Sequence, residues 1–201
     1  MKAPSPSRRP LTVLIAGGGV AGLEAMLALK QLAQERVVIE LLAPESQFWY
    51  RPLATGEPFG LGNIHGLDLS AVAHESGVLF TLGRLGSIDP WRRIASTSTG
   101  VDSSYDALLI AVGARPVPAL PGAFTFRGPA DSEAFAALLD DLGESAAHRI
   151  VFAVPGGVSW PLPLYELALE TAARFGRNDA NVEVSVVTHE EAPLELFGPA
   201  A

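Results

Sequence analysis

The segment from Gly17 to Gly22 is the feature that most constrains how this chain can fold. It has the pattern G-x-G-x-x-G, and it lies between an apolar run at residues 11–16 and an alanine- and leucine-rich stretch at residues 20–34. The first glycine of this pattern allows a tight turn, the second keeps side chains away from the backbone, and the third lets a helix pack closely on a strand. The pattern predicts a strand, a turn and a helix whose N-terminus can bind the pyrophosphate of a dinucleotide. The alternative is a tight strand–helix turn without a ligand.

Two further strands are predicted from short apolar runs rich in β-branched residues. Residues 37–42 follow the predicted helix, and strand, helix and strand together span the length of a βαβ unit. Residues 105–112 form a second run of this kind, which ends at Gly113. Such runs are typical of parallel strands buried on both faces of a sheet.

The chain between these strands has a different character. Residues 44–66 are rich in aromatic residues, proline and glycine, and an irregular connection of this length predicts a functional role. Residues 67–74 predict a short helix. Three short segments separated by glycine or proline turns, at residues 78–82, 86–89 and 92–97, predict a small β-meander.

The second half of the chain repeats the order of the first. A proline-rich linker is predicted at residues 115–122 and an acidic helix at residues 131–142. A strand at residues 149–154, a helix at residues 161–175 and a strand at residues 182–187 then form another βαβ pattern.

Composition excludes several classes of function. Hydrophobic residues make up 48% of the 201 residues, which is typical of a globular chain. The net charge of −8 argues against nucleic acid as a partner. The absence of cysteine excludes disulfides, thiolate metal sites and cysteine nucleophiles from these residues. No metal site is expected, because the four histidines lack ligand spacing: His65, His74, His148 and His189.

The N-terminal residues carry a basic pattern that resembles a targeting signal. Lys2, Arg8 and Arg9 precede an apolar stretch, but this stretch runs directly into the glycine turn without a cleavage site. We therefore expect a disordered tail at residues 1–10, no transmembrane segment and a cytoplasmic protein, with a peripheral position at the inner face of the membrane as the alternative.

The sequence departs from the usual dinucleotide pattern where the ribose should bind. An acidic residue is expected about 20 positions after the glycine turn, at the end of the second strand. Ala43 occupies that position, while Glu40 lies within the strand and Glu45 follows it. Glu45 is therefore the candidate for binding the ribose hydroxyl groups.

Four segments together resemble a known family. They are the glycine turn, residues 48–53 (FWYRPL), residues 82–89 (LGRLGSID) and residues 105–116 (YDALLIAVGARP), with Val112 where threonine is usual. The chain resembles the N-terminal part of the FAD-dependent pyridine nucleotide-disulfide oxidoreductase superfamily. Within it, the similarity is to the branch of type II NADH dehydrogenases and sulfide:quinone oxidoreductases.

The resemblance implies that the first site binds FAD. It also implies that Leu85 meets the adenine edge through its backbone, that Arg51 and Pro52 lie near the pyrophosphate or flavin, and that Gly113 allows close approach of the chain. For Arg51 the alternative is a solvated loop charge, and for Trp49 and Tyr50 it is packing under the loop. The candidate cofactor-binding residues are Gly17, Gly19, Val20, Ala21, Gly22, Glu45, Arg51, Pro52, Leu85, Ala111 and Gly113.

The expected fold class is α/β. We expect a Rossmann-like, three-layer FAD/NAD(P)-binding fold with a small β-meander, followed by an incomplete second Rossmann-like domain. The FAD-binding domain is expected at residues 11–118 and the partial, NAD(P)-binding-like domain at residues 119–201.

The second glycine turn differs from the first. Pro155 replaces the first glycine of the pattern and Trp160 the third, where close helix packing leaves no room for a ring. NAD(P)H binding is therefore doubtful. The alternatives are a turn kept only for packing, or a pocket in which Trp160, Pro161 and Pro163 line the site of a quinone or other apolar substrate.

The leading hypothesis is an FAD-dependent oxidoreductase, or its N-terminal portion, that passes electrons through the flavin to a quinone-like or other small acceptor. No residue pair supports a catalytic acid or base. Cysteine-dependent sulfide oxidation and disulfide reduction are excluded for these residues, since they contain no cysteine.

Two rival functions stay open. The first is a non-catalytic nucleotide-binding fragment or subunit that needs a partner chain or forms a homo-oligomer, because the strand and C-terminal region with which family members complete the flavin site are missing. The second is an NAD-dependent Rossmann dehydrogenase without flavin, against which residues 105–116 argue.

Overall fold

The computed structural model describes residues 9–114, 117–118, 120–144, 149–158, 160–177 and 182–198. These residues form two compact units. The first contains the described residues up to Trp49 and those from His65 to Ala114, and the second contains Tyr50–Ile64 and the described residues from Val117 onward.

The first unit is built around a parallel sheet. In chain order its elements are β1 Leu11–Ala16, α1 Val20–Ala33, a 3-10 helix Gln34–Arg36, β2 Val37–Ala43, β3 Gln47–Phe48, β4 Leu67–Asp68, α2 Leu69–Glu75, β5 Leu79–Leu82, β6 Leu85–Asp89, β7 Ile94–Thr97, β8 Asp102–Ser104 and β9 Ala107–Ile110. The strand order in the sheet is β5-β2-β1-β9. Leu11 is in register with Val37, and Val13 with Ala107.

Alternate side chains of this sheet pack against different layers, as the two-residue period of a strand requires. The face toward α1 and α2 has a buried cluster of Val13, Ile15, Met26, Ile39, Leu41, Ala43, Leu69, Ala73 and Val78. The opposite face has Leu14, Ala16 and Leu42, which pack with Ala95 of β7. The unit therefore has three layers, and the predicted Rossmann-like fold is confirmed.

The strands that form the meander differ from those predicted. The run at residues 78–82 forms β5, which pairs with β2 in the parallel sheet. The antiparallel meander consists of β6, β7 and β8. β8 was not predicted because Asp102, Ser103 and Ser104 carry no apolar signal. Glu40 faces this layer and accepts hydrogen bonds from Thr81 Oγ1 (2.8 Å) and Ser103 Oγ (2.7 Å).

The prediction of burial on both faces is confirmed for β1 and wrong for β9. Four of the six residues of β1 are buried. β9 lies at the edge of the sheet, and Ile110 is 58% exposed. An edge position leaves one side of the strand open to water, whatever its apolar composition.

The second unit contains the predicted strand–helix–strand repeat. Its elements are a 3-10 helix Arg51–Phe59, a 3-10 helix Pro129–Asp131, α3 Ser132–Glu144, β10 Arg149–Ala153, α4 Leu162–Arg177, β11 Glu183–Val187 and a 3-10 helix Glu195–Phe197. β10 and β11 are parallel. The buried cluster consists of Phe135, Leu139, Phe152, Leu167, Ala168 and Phe175.

The segment Tyr50–Ile64 belongs to the second unit, whereas the sequence-based division at residue 118 placed it in the first domain. Glu57 accepts hydrogen bonds from the Ile64 backbone (2.9 Å) and from Ser132 Oγ of α3 (2.7 Å). Thr55 Oγ1 donates to Glu166 of α4 (3.0 Å). The two bonds to α3 and α4 join residues far apart in the chain, so they have no signature in the local sequence.

The chain segment that precedes α3 is fixed by the carboxylate of Asp131. Asp131 is buried, and it accepts hydrogen bonds from the Arg127 backbone N (2.7 Å), Nε (3.1 Å) and Nη2 (2.7 Å). The side-chain hydrogen bond from Arg127 lowers the pKa of Asp131 below its usual value. Arg127 itself is about half exposed, so solvent screens part of the attraction.

We expect Asp131→Asn to lower the free energy of unfolding by about 1 kcal/mol near neutral pH, because the ion pair with Arg127 is lost and the NH2 group that replaces one oxygen cannot accept a hydrogen bond. The matched control is Asp140→Asn, which removes an ion pair between Arg174 and an exposed carboxylate and should cost less than about 0.5 kcal/mol. Urea unfolding followed by circular dichroism measures both. Equal losses would contradict the role given to Asp131.

The same carboxylate predicts a pH dependence. Because the pKa of Asp131 is lower in the folded state, its stabilisation is present above the unfolded pKa of about 3.9 and disappears as the pH falls through the folded pKa. The difference in stability between the wild type and Asp131→Asn should therefore shrink in acid. A constant difference down to the lowest pH at which the protein folds would contradict this assignment.

Candidate functional site

The first glycine of the turn occupies a position that excludes every side chain. Gly17 has φ of +129°, and its N–H donates to the Leu42 carbonyl at 2.8 Å. A Cβ atom at Gly17 would lie 2.0 Å from the carbonyl oxygen of Ala111. The turn thus passes between the carboxyl ends of β2 and β9, with its backbone against both.

The third glycine lets α1 approach the turn. A Cβ atom at Gly22 would lie 1.8 Å from the Gly17 carbonyl oxygen, and Gly22 is buried in the first turn of α1. The helix N-terminus is therefore held directly over the end of β1.

Gly18 occupies the first x position of the G-x-G-x-x-G pattern, where any residue is allowed, yet it is equally constrained. A Cβ atom there would lie 2.6 Å from Leu69 Cδ1 and 2.8 Å from Ala43 Cβ. This requirement for glycine was not predicted from the sequence, although the run of three consecutive glycines was a signal for it. The contact also accounts for Ala43, which is buried below Gly18 where the pattern expects an acidic side chain.

Gly19 differs from its neighbours because its side-chain position is open. It has ordinary extended backbone (φ −83°, ψ −174°), and no described atom lies within 4 Å of an added Cβ. It is the N-cap of α1, and no side chain of the described residues caps this helix. The first N–H groups of any helix lack intrahelical partners and carry partial positive charge. The N–H groups of Gly19, Val20, Ala21 and Gly22 therefore lie at a helix start whose N-cap is open and suited to an anion.

The carboxyl edge of the sheet brings other predicted residues close to the turn. Ala111 N donates to the Ala16 carbonyl at 2.7 Å, and Gly83 N donates to the Ala43 carbonyl at 2.7 Å. Gly113 has φ of +69° with open space at its side-chain position. Leu85 lies two residues after Gly83, and its side chain packs against the cluster around Leu14.

The remaining candidate cofactor-binding residues are Glu45, Arg51 and Pro52. Glu45 is exposed, two residues beyond the end of β2. Arg51 and Pro52 begin a 3-10 helix of the second unit, and Arg51 lies beside Gly128. Trp49 is half-buried against Gly66, which agrees with the packing interpretation of this ring. The structure thus gathers all candidates except Arg51 and Pro52 in the first unit.

The second glycine turn has neither the crowding nor the open helix start of the first. Cβ atoms added at Gly156 or Gly157 meet nothing within 4 Å among the described atoms, so close packing does not require glycine there. α4 begins only at Leu162. The Trp160 ring packs edge-on against Phe197, with ring centroids 5.2 Å apart.

The acidic residue after β11 is engaged within the protein. Glu190 accepts hydrogen bonds from Tyr165 of α4 (2.7 Å) and from Thr188 Oγ1 (3.0 Å). Across the described part of the chain, no group of three or more metal-ligating side chains is arranged to hold a metal ion. No helix among those residues is long and apolar enough to cross a membrane.

The geometry separates two glycines by their effect on stability. We expect Gly22→Ala to lower the free energy of unfolding by about 3 kcal/mol or more, because the methyl group overlaps the Gly17 backbone. Gly19→Ala should cost less than about 1 kcal/mol, the loss expected at an N-cap. Urea unfolding of both variants measures the difference, and similar losses would refute the assignment.

Comparisons with known proteins agree with this architecture. The chain aligns with the sulfide:quinone oxidoreductase of Aquifex aeolicus with a TM-score of 0.82 at 22% identity, over 92% of this chain and 44% of that one. A ferredoxin reductase of Rhodopseudomonas palustris gives 0.64 at 25% identity, over 87% and 42%. NADH:rubredoxin oxidoreductase of Clostridium acetobutylicum gives 0.59 at 21% identity, over 92% and 46%.

The chain thus spans less than half the length of these proteins. A search of the curated proteins found no match. The family model of the pyridine nucleotide-disulphide oxidoreductases matches residues 11–201, so the chain belongs to that family.

Proposed function

We propose that the first unit binds FAD at the Gly17–Gly22 turn, and that the protein passes electrons through the flavin to a quinone-like or other small acceptor. The observation that carries the proposal is the contrast within the turn. Gly17, Gly18 and Gly22 are required by packing, whereas Gly19 is not, and a ligand that approaches the backbone there accounts for its glycine.

Each candidate residue has a physical role in this proposal. The N–H groups of residues 19–22 hold the pyrophosphate at the positive end of α1. Gly113 provides a second place where a ligand can approach the backbone, since no described atom fills its side-chain position. Glu45 binds the ribose hydroxyl groups, and the Leu85 backbone meets the adenine edge.

Arg51 and Pro52 contact the pyrophosphate or flavin in this proposal. Bound FAD supplies the redox chemistry, while the chain supplies orientation and electrostatics. No residue is assigned as a catalytic acid or base.

The choice of electron acceptor rests on one similar structure and on the absence of cysteine from these residues. One similar structure is a sulfide:quinone oxidoreductase, which suggests a quinone. These 201 residues contain no cysteine, so a cysteine-dependent transfer of sulfur or reduction of disulfides is not part of the proposal.

Ordinary NAD(P)H binding at the second turn is not part of the proposal. Trp160 stands where the dinucleotide pattern requires glycine, and Glu190, the acidic residue after β11, is bonded to Tyr165 and Thr188. Pro161 is buried, so the apolar surface offered to a substrate would consist of Trp160, which is 51% exposed, and Pro163.

A nucleotide-binding subunit that needs a partner chain is the second candidate. It is favoured by the exposure of apolar side chains on the two-stranded sheet of the second unit, where Val151 is 51% and Val187 57% exposed. Surface of this kind is typical of an interface. An NAD-dependent dehydrogenase without flavin is not favoured by any feature of the described residues.

We expect the purified protein to take up FAD at a ratio near one, seen as flavin absorption bands that remain after gel filtration. Gly19→Ala should weaken FAD binding by at least about tenfold, because its methyl group enters the phosphate position. Gly156→Ala is the matched control, since the same change in the second turn also meets open space. FAD affinity that is equal in both variants, or no uptake by the wild type, would sink the proposal.

The electron donor gives a separate test. When the FAD-loaded protein is mixed with NADH in a stopped-flow instrument, we expect no fast loss of flavin absorption. The reason is that Pro155 and Trp160 replace two glycines of the pyrophosphate-binding pattern in the second turn. Dithionite should still reduce the flavin, which serves as the positive control. Rapid bleaching by NADH would show that the second turn binds the nucleotide after all.

A further inference from the structure

Two charged residues follow neighbouring strands at the carboxyl edge of the parallel sheet. Ala43 of β2 is in register with Leu82 of β5. Glu45 lies two residues after Ala43, and Arg84 lies two residues after Leu82. Paired strands are about 4.8 Å apart, so the carboxylate and the guanidinium group leave the edge from adjacent points. Ligands of open α/β sheets bind beyond this edge.

The backbone around Arg84 is fixed, whereas its side chain is free. The Gly83 N–H donates to the Ala43 carbonyl (2.7 Å), and the Arg84 carbonyl accepts from the Ser98 N–H (2.8 Å). A Cβ atom at Gly83 would lie 2.7 Å from Thr97 Cγ2, so the turn packs directly on β7. The Arg84 side chain is nevertheless exposed, and it forms no hydrogen bond or ion pair with another of the described residues. A rigid turn thus presents an unpaired guanidinium group.

Glu45 is also exposed and has no such partner within the described part of the chain. The acid and the base therefore do not neutralise each other, although they leave neighbouring strands. A phosphate group between them would be attracted by Arg84 and repelled by Glu45. An uncharged ligand with hydroxyl groups for the carboxylate and a flat face for the guanidinium group satisfies both side chains.

The distance from the glycine turn also separates Arg84 from the pyrophosphate. The turn follows β1, and the strand order β5-β2-β1 puts two strand spacings, about 10 Å, between the ends of β1 and β5. This exceeds the Debye length of about 8 Å at physiological ionic strength. When the diphosphate of an adenosine nucleotide lies at the turn, its ribose crosses the end of β2 and its base reaches the chain after β5.

We propose that the guanidinium group of Arg84 stacks on the face of the adenine ring of FAD. This inference rests on the proposed FAD site and adds a residue that determines how the adenosine half is held. The planar guanidinium group lies flat on aromatic faces, and the compact ammonium group of lysine does not reproduce this contact. The backbone of Leu85 meets the edge of the same ring, and Glu45 binds the ribose. Consecutive residues at the start of β6 thus contact the edge and the face of one base.

The test measures the dissociation constant of FAD for the full chain of the wild type, Arg84→Gln and Arg84→Lys. We expect both substitutions to weaken FAD binding about fivefold, since lysine keeps the charge but not the planar group. ADP, which has the adenosine diphosphate without the flavin, should lose affinity by the same factor. Inorganic pyrophosphate, measured by its competition with FAD, should bind the three proteins equally because it has no base.

Arg92→Gln is the matched control. Arg92 is exposed in the turn between β6 and β7, beside Arg93 and Trp91, which is 95% exposed. Arg93 and Arg9 lie 3.9 Å and 2.9 Å from the carboxylate that precedes β9, so this turn is at the amino end of β1, opposite the glycine turn. The substitution removes an exposed arginine of the same unit and should leave FAD affinity unchanged. Unchanged melting temperatures will show that the variants fold.

Four results would overturn the proposal. They are wild-type FAD affinity in Arg84→Lys, an equal loss of affinity for pyrophosphate and FAD in Arg84→Gln, equal effects of Arg84→Gln and Arg92→Gln, or tighter binding of adenosine 2′,5′-bisphosphate than of ADP. The last result would assign Arg84 to a phosphate on the ribose. All four leave FAD uptake by the wild type intact, whereas a wild type that takes up no FAD would remove the proposed function together with this inference.

Discussion

The first unit depends on the close approach of three backbone segments at the end of β1. Gly17 lies between the Ala111 carbonyl of the chain that leaves β9 and the first turn of α1, and no side chain fits on either side of it. This contact sets the position of α1 relative to the sheet, and through Gly18 it also sets the position of Leu69 and α2. Because α1 is held over the end of β1, its unpaired N–H groups point to open space at Gly19. The open helix start to which we assign the anion therefore follows from packing that is needed in any case.

The second unit is organised by carboxylates whose partners are distant in sequence. Glu57 joins the segment Tyr50–Ile64 to α3, and Glu166 joins it to α4 through Thr55. Asp131 fixes the chain that enters α3, where the Phe135 ring contacts Phe59, Phe124, Phe126 and Phe152 at centroid distances of 5.8–6.3 Å. A segment placed in the first domain on sequence grounds thus contributes to the core of the second unit. Arg51 and Pro52 belong to it, so their positions depend on bonds made within the second unit.

Much of the architecture was predictable because its signals are local. Short apolar runs rich in β-branched residues gave correct positions for β1, β2 and β10, and the spacing of Gly17 and Gly22 predicted the turn and the start of α1. What could not be predicted depends on contacts between distant residues. The need for glycine at position 18 comes from Leu69 and Ala43, and the edge position of β9 comes from strand order. β8 is polar and forms because Asp102, Ser103 and Ser104 pair with β7. The cofactor roles of the candidate residues stay predictions.

The two ends of β1 have opposite chemistry, and this has a consequence for how reactants would reach the protein. Uncharged backbone N–H groups with open space lie at one end, while arginines and an exposed indole lie at the other. The two ends are about 20 Å apart, the length of a six-residue strand. This exceeds the Debye length of about 8 Å at physiological ionic strength, so the arginines add little to the attraction of a phosphate at the glycine turn. An anion there would depend on the N–H groups at the start of α1.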